Sequence, residues 1–160
     1  MNYIIQIHLE HKDDVIREIK IPSSKSLEDL HYTIIKCLKL DKHEMASFYT
    51  TNDNFDLLQE IPIFKIDSNN STMQYMSQIK IESILPKIND KLIYIYDFLK
   101  MWRFLISYSK KSKSQTNSIE IINSVGTMPK EAPNIIFEEK KYDNFNDFNN
   151  DFGQLDESEY

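Results

Sequence analysis

The residues best suited to chemistry lie in one stretch, Tyr94–Phe104, which holds the candidate binding residues Tyr94, Tyr96, Asp97 and Trp102. Asp97 could act there as a ligand or a base, and Trp102 as a stacking platform. The same residues also suit a structural corner, because Asp satisfies turn amides and Trp fills the edge of a core. A single carboxylate makes no acid–base pair. The structural interpretation is therefore favoured.

No other residues form a catalytic, metal or cofactor pattern. The histidines His8, His11, His31 and His43 lack the spacing of a zinc site, and His31 is expected on the exposed side of a helix. Cys37, the single cysteine, falls in an apolar helical stretch, which favours a packed thiol over an activated one. Only two glycines are present, so a phosphate-binding loop is excluded.

A basic cluster follows the aromatic stretch. Lys110, Lys111 and Lys113 lie close in sequence to Arg103 and could contact phosphate groups. Three lysines in one loop are few for nucleic-acid binding, and the acidic tail could compete for the same patch. The favoured interpretation is the solvated loop, with nucleic-acid contact as the alternative.

The C-terminal residues carry a possible partner motif. Four aromatic residues recur at helical spacing there, beside aspartates placed four apart: Tyr142, Phe145, Phe148 and Phe152. Asn is a weak helix former, so such a helix would be marginal alone. Three interpretations stay open: a disordered tail, a segment docked on its own domain, and a motif that binds in a partner's groove.

The elements that position these residues begin with a predicted hairpin of strands 3–9 and 15–21. A helix then starts at the N-cap Ser26, because Asp29 three residues later completes a capping box and apolar residues follow at helical spacing. A strand at 46–51 ends in a polar turn. The resulting β-β-α-β order suits a mixed sheet with a helix on one face.

The second half of the chain predicts a central hairpin. Strands at 92–96 and 104–108 are apolar on both faces and are separated by only a few residues. A short helix at 81–85, stopped by Pro86, precedes them, and a strand at 118–125 follows. The fold class is therefore α+β, with a mainly antiparallel sheet.

Charge divides the chain into a predicted domain, residues 1–137, and an acidic tail, residues 138–160. The 160 residues carry a net charge of −6, and the tail alone holds eight acidic and two basic side chains. No run of about 18 apolar residues and no leader-like N-terminus occurs, so we expect a cytoplasmic protein without a membrane partner.

Residues Tyr94–Phe104 resemble the Tyr-x-Tyr-Asp-Phe-Gly-Asp-x-Trp-x-His signature of the plasmid pRiA4b-type open-reading-frame family. The β-β-α-β order at the N-terminus is similar to that family as well. The resemblance implies an α+β domain without an established activity, and a link to mobile DNA. This chain departs from the signature, because Leu99-Lys100 stands in place of Gly-Asp and Arg103 in place of His.

Three functional hypotheses follow. The favoured one is a non-enzymatic cytoplasmic binding or adaptor domain with a protein partner, since no catalytic constellation is found. The second is an accessory protein of plasmids or mobile elements that touches nucleic acid through Arg103 and the lysine cluster, although the acidic net charge weighs against it. The third is a small-molecule or enzymatic site near Asp97 and Trp102.

Overall fold

The computed structural model describes residues 1–65 and 73–131, and over these residues it contains seven strands. The strands are β1 (Asn2–Leu9), β2 (Ile16–Pro22), β3 (Ala46–Thr50), β4 (Glu60–Pro62), β5 (Lys91–Tyr96), β6 (Trp102–Lys111) and β7 (Glu120–Val125). The helices are α1 (Leu27–Leu38), the single turn α2 (Ile81–Ile84) and a 3₁₀ turn at Met76–Gln78. The predicted acidic tail, residues 138–160, lies entirely outside the described residues, and with it the predicted partner motif of Tyr142, Phe145, Phe148 and Phe152.

The sequence signals at the N-terminus are confirmed. β1 and β2 form the predicted antiparallel hairpin. The capping box at α1 is complete, since the Asp29 amide donates to Ser26 Oγ and the Ser26 amide donates to Asp29 Oδ2, each at 3.1 Å. These two bonds satisfy amides that have no partner inside the helix. Local chemistry therefore sets where the helix begins.

All seven strands belong to one antiparallel sheet in the order β4-β3-β5-β6-β1-β2-β7. The predicted β5–β6 hairpin is confirmed, and β6 is the middle strand. β4 was not predicted, because a three-residue strand gives almost no periodicity. The last strand begins at Glu120, not at 118. The architecture is mainly β with one full helix.

Contacts between side chains join α1 to one face of the sheet. Alternate residues of β1 and β2, among them Ile5, Ile7 and Ile19, are buried on this face. Tyr94 of β5 is also buried there and reaches His31 of α1. Burying each isoleucine stabilises the fold by about 2 kcal/mol. The interior between helix and sheet is therefore the hydrophobic core.

The buried side chain of Arg17, in β2, forms hydrogen bonds to the C-terminal ends of both α1 and β7. Its side chain is 7% exposed, and its guanidinium donates to Cys37 O at 3.2 Å, which belongs to the last turn of α1. It also donates to Val125 O and Gly126 O, both at 2.9 Å, where β7 ends. A fourth bond goes to Ile16 O. A buried cation is tolerated because its donors are satisfied by carbonyl dipoles, including those at the negative end of α1.

Gly126 permits the close approach of the chain at this point. Its φ is +74°, and a Cβ built on it would lie 2.1 Å from the Asp14 carbonyl oxygen. No other residue type fits there without moving the β1–β2 connection. The position of the chain at the end of β7 is therefore fixed by the close approach of Gly126 to Asp14 and by the hydrogen bonds from Arg17.

Replacing Arg17 by methionine should lower the free energy of unfolding by about 2–3 kcal/mol, because buried carbonyl groups of α1 and β7 lose their donor. Chemical denaturation monitored by circular dichroism measures this change. Lys12→Met, which removes an exposed cation from the neighbouring loop, is the matched control and should change stability by less than about 0.5 kcal/mol. Equal losses in the two variants would contradict the role assigned to Arg17.

Candidate functional site

Asp97 forms the corner of the β5–β6 hairpin. Its φ is +59°, and its Oδ1 accepts hydrogen bonds from the amides of Leu99 at 3.1 Å and Lys100 at 3.4 Å. Its own amide donates to Met45 O at 2.8 Å. The carboxylate thus caps the turn as an Asx motif, which allows the left-handed backbone. This geometry is that of the structural corner favoured from the sequence.

The aromatic candidates Tyr94, Tyr96 and Trp102 lie together on the face of the sheet that contacts α1, all of them buried. The Tyr96 hydroxyl donates to Asp41 O at 2.7 Å and accepts from the Asp41 amide at 2.8 Å. The Tyr94 ring packs against Phe48, with ring centroids 4.9 Å apart. Burial makes all three residues part of the core, and the hydroxyls of Tyr94 and Tyr96 have hydrogen-bond partners there.

Arg103 lies on the opposite face of β6 from its neighbour Trp102, because successive residues of a strand point to opposite faces. Its Nε is 2.9 Å from Glu10 Oε2, and its Nη2 donates to Phe55 O. Lys91 Nζ stands 4.7 Å from the centroid of the Phe55 ring. Arg103 and Lys91 therefore hold the β3–β4 loop against the second face of the sheet.

The lysine cluster lies at the far end of β6 from Arg103. Lys110 and Lys111 are the last two residues of β6, Lys113 is in the loop that follows, and all three are exposed. Lys110 follows Arg103 by seven positions in the strand, which corresponds to about 24 Å. The structure thus does not bring Arg103 and the lysines into one basic patch. Nucleic-acid contact through them stays a prediction.

His31 is buried, with 0% exposure, and the expectation that it lies on the exposed side of α1 is wrong. Its Nδ1 is 2.8 Å from the Tyr94 hydroxyl, and its Nε2 has no hydrogen-bond partner among the described residues. Burial lowers the pKa of His31 from 6.5 to about 4. The sequence did contain a signal for the burial of His31. This residue follows Leu27 by four residues and precedes Ile34 by three, so it lies on the same face of the helix as these apolar residues.

Acidification should destabilise the protein through His31. Because the pKa of His31 is about 4 in the folded chain and 6.5 when unfolded, the unfolded chain binds the proton first as the pH falls. The stability present above pH 6.5 is lost towards pH 4, by about 3 kcal/mol. Denaturation curves at pH 7 and pH 4 measure the loss. His31→Gln should reduce it, whereas the exposed His43→Gln should not; the same loss in all three proteins would refute this assignment.

Cys37 is a packed thiol, as predicted. It is half-buried, and its Sγ donates to Ile34 O at 3.5 Å. Burial raises the pKa of the Cys37 thiol from 9.0 to about 11, although the nearby Arg17 cation acts in the opposite direction. The thiolate is the nucleophilic form of cysteine. A group that ionises so far above neutral pH is unsuited to nucleophilic catalysis.

Alkylation of Cys37 by iodoacetamide at pH 8 should be about 100-fold slower in the native protein than in denaturant, because the raised pKa lowers the thiolate fraction by that factor. Mass spectrometry follows the reaction. Leu99→Cys in a Cys37→Ser background offers an exposed thiol as control, and it should react at nearly the same rate in both states. Rapid native labelling of Cys37 would show that the thiol is activated.

A groove between α1 and the edge strand β7 was not predicted from the sequence. Its volume is about 300 Å³, and it is lined by Asp29, Tyr32, Thr33 and Lys36 of α1 and by Ile119 and Ile121 at β7. All six residues of β7 are exposed, and among the described residues β7 pairs only with β2. One row of its backbone amides and carbonyls is therefore not paired within the described sheet.

A second cleft, of about 470 Å³, lies at the other edge region, near the β3–β4 loop and the start of β5. Its polar groups largely bond to one another within the loop. Thr51 Oγ1 donates to Asp56 O at 2.7 Å, and Asn52 Oδ1 accepts from the Asn54 amide at 2.9 Å. Neither cleft is lined by Asp97 or Trp102.

Comparison with protein families gives a match over residues 1–154 to the model described as plasmid pRiA4b ORF-3-like protein. The chain belongs to the plasmid pRiA4b ORF-3-like family. The resemblance read from Tyr94–Phe104 is thereby confirmed. In this pRiA4b ORF-3-like chain, the signature residues Tyr94, Tyr96 and Trp102 are core residues and Asp97 caps a turn.

A solved structure shares the fold. It is described as a protein of unknown function, MM3350, from Methanosarcina mazei Go1, and it aligns with a TM-score of 0.61 at 16% identity, over 77% of this chain and 68% of that one. Comparison with curated proteins gives no match. Within residues 1–65 and 73–131, no cluster of three metal-ligating side chains and no helix able to span a membrane is present.

Proposed function

We propose that this pRiA4b ORF-3-like chain is a non-enzymatic, cytoplasmic binding domain that takes up an extended segment of a partner protein as an eighth strand beside β7. The observation that carries the proposal is the six-residue exposed edge strand beside the groove of α1. Strand addition to such an edge supplies main-chain hydrogen bonds, and a neighbouring groove selects side chains. The unpaired thiol of Cys37 is compatible with a reducing compartment.

The two edges of the sheet differ in a way that supports β7 as the docking edge. β4, at the other edge, has three residues and ends in Pro62, both of which discourage pairing. β7 has six residues, Glu120–Val125, with neither Pro nor Lys among them. Its isoleucines Ile121 and Ile122 are 48% and 46% exposed. Shortness and a proline protect β4 against edge pairing; β7 is longer and lacks both, although its pairing with β2 contains a bulge at Ile122.

Side-chain direction adds a second argument. Ile121 pairs with Ile19 of β2, which is buried beneath α1, so Ile121 points to the α1 side of the sheet. A strand added to β7 would present every second side chain to the same side, between Ile121 and the exposed ring of Tyr32. The site therefore favours segments with an apolar residue at alternate positions.

Peptides selected from a random library against the intact protein should alternate apolar and polar residues and should bind at β7. Their binding should slow hydrogen exchange of the β7 amides, because these amides acquire carbonyl acceptors. Ile121→Lys should weaken binding at least tenfold, since it places a charge in the groove.

Leu99→Lys is the matched control, because Leu99 is 95% exposed and lies at the β5–β6 turn, away from the groove. It should leave peptide affinity unchanged. Selected peptides that bind Ile121→Lys as tightly as the unmodified protein, or a library that yields no binder, would contradict the proposal.

A further inference from the structure

We infer that the segment taken up at β7 carries an acidic, an apolar and a basic residue at positions i, i+2 and i+4, in that order from its N-terminus. The inference rests on the proposed strand addition. It follows from three features of the groove: the charges at its two ends, the common direction of α1 and β7, and the antiparallel pairing of the sheet.

The two ends of the groove carry opposite charges. Asp29 lies in the first turn of α1 and Lys36 in the last turn, and both line the groove. The hydrogen bonds of the Asp29 side chain all use Oδ2. Lys36 is exposed and makes no ion pair within the described residues. Both groups can therefore interact with a charged ligand side chain.

The direction of the groove relative to β7 is set by Arg17. Its guanidinium bonds both Cys37 O, in the last turn of α1, and Val125 O, at the end of β7. The C-terminal ends of the two elements therefore meet. α1 starts shortly after β2 ends, and its last turn returns to Arg17 near the start of β2, so α1 runs antiparallel to β2, as β7 does. Lys36 therefore lies towards the end of β7 and Asp29 towards its beginning.

An added strand is expected to run antiparallel to β7, since every neighbouring pair in the sheet is antiparallel. Its N-terminal part would then lie beside Lys36 and its C-terminal part beside Asp29. Opposite charges are favoured across such pairs, and like charges are disfavoured. The ligand order is therefore acidic first and basic last.

The distance between Asp29 and Lys36 determines which positions of the ligand can pair with them. Asp29 and Lys36 are seven residues apart in a helix, which is about 10 Å. Ligand residues i and i+4 share a face of a strand and are about 13 Å apart. The difference of about 3 Å from the groove charges is within the reach of long, flexible charged side chains. The residue between them, i+2, faces Ile121 and Tyr32 and should be apolar.

Two blocked peptides of identical composition test the inference, TETITKT with the inferred order and TKTITET with the reverse. Isothermal titration calorimetry at low salt should show the first binding about fivefold more tightly, the size expected for two exposed charge pairs. Lys36→Glu should abolish the preference, because both ends of the groove then carry negative charge. Lys12→Glu makes the same charge change in the β1–β2 loop and should preserve it.

The outcomes separate this inference from the proposed function. Equal affinity of the two peptides, with slowed hydrogen exchange at β7, would overturn the charge order and leave strand addition standing. Tighter binding of TKTITET would indicate parallel addition and would also overturn the inference. If neither peptide slows exchange at the β7 amides, the proposed function and the inference fail together.

Discussion

The buried guanidinium of Arg17 is the interaction on which the far side of the sheet depends. β7 is attached to the rest of the molecule through its pairing with β2 and through the bonds of Arg17 to Val125 and Gly126. The same side chain holds the last turn of α1 through Cys37. A cation buried among carbonyl groups is costly to leave unpaired. Its bonds therefore restrain the distance between helix and edge strand.

That restraint gives the groove its properties. Because Arg17 bonds both α1 and β7 near their C-terminal ends, the two elements are held side by side, and Ile121 lines the groove between them. A preformed groove lowers the entropic cost of ordering a ligand. If β7 became ordered only on binding, the entropic cost of ordering it would reduce the affinity. The groove that we propose as a docking surface is thus a consequence of packing in the core.

The residues that identify the family have a structural role in this chain. Tyr94 packs among Phe48, Phe104 and His31, and Trp102 pairs with Tyr96 across the central hairpin. Aromatic rings bury large areas and need specific neighbours, so a signature rich in them specifies how a core is assembled. Asp97 completes the hairpin by capping its turn. The signature residues thus contribute to the fold of this chain, and the groove at β7 lies in another part of the molecule.

Local chemistry in the sequence determined the elements. Alternation predicted β2, β-rich apolar runs predicted β1, β5 and β6, and the capping box at Ser26 located the start of α1, because these signals act between residues close in the chain. Short β4 carried too little pattern to be found. The interpretation of His31 failed although its spacing was informative, since a polar residue on an apolar face is satisfied only by a distant partner, Tyr94.

Tertiary structure alone decided where the candidate site lies. Which strands form the edges, which face Ile121 occupies and what Arg17 bonds depend on contacts between residues more than 100 positions apart in some cases. Such contacts are selected by the packing of the whole chain and leave no periodic signal in the sequence. The sequence thus determined the strands and the helix, and the tertiary structure determined which strand lies at the edge of the described sheet and which helix lies beside it.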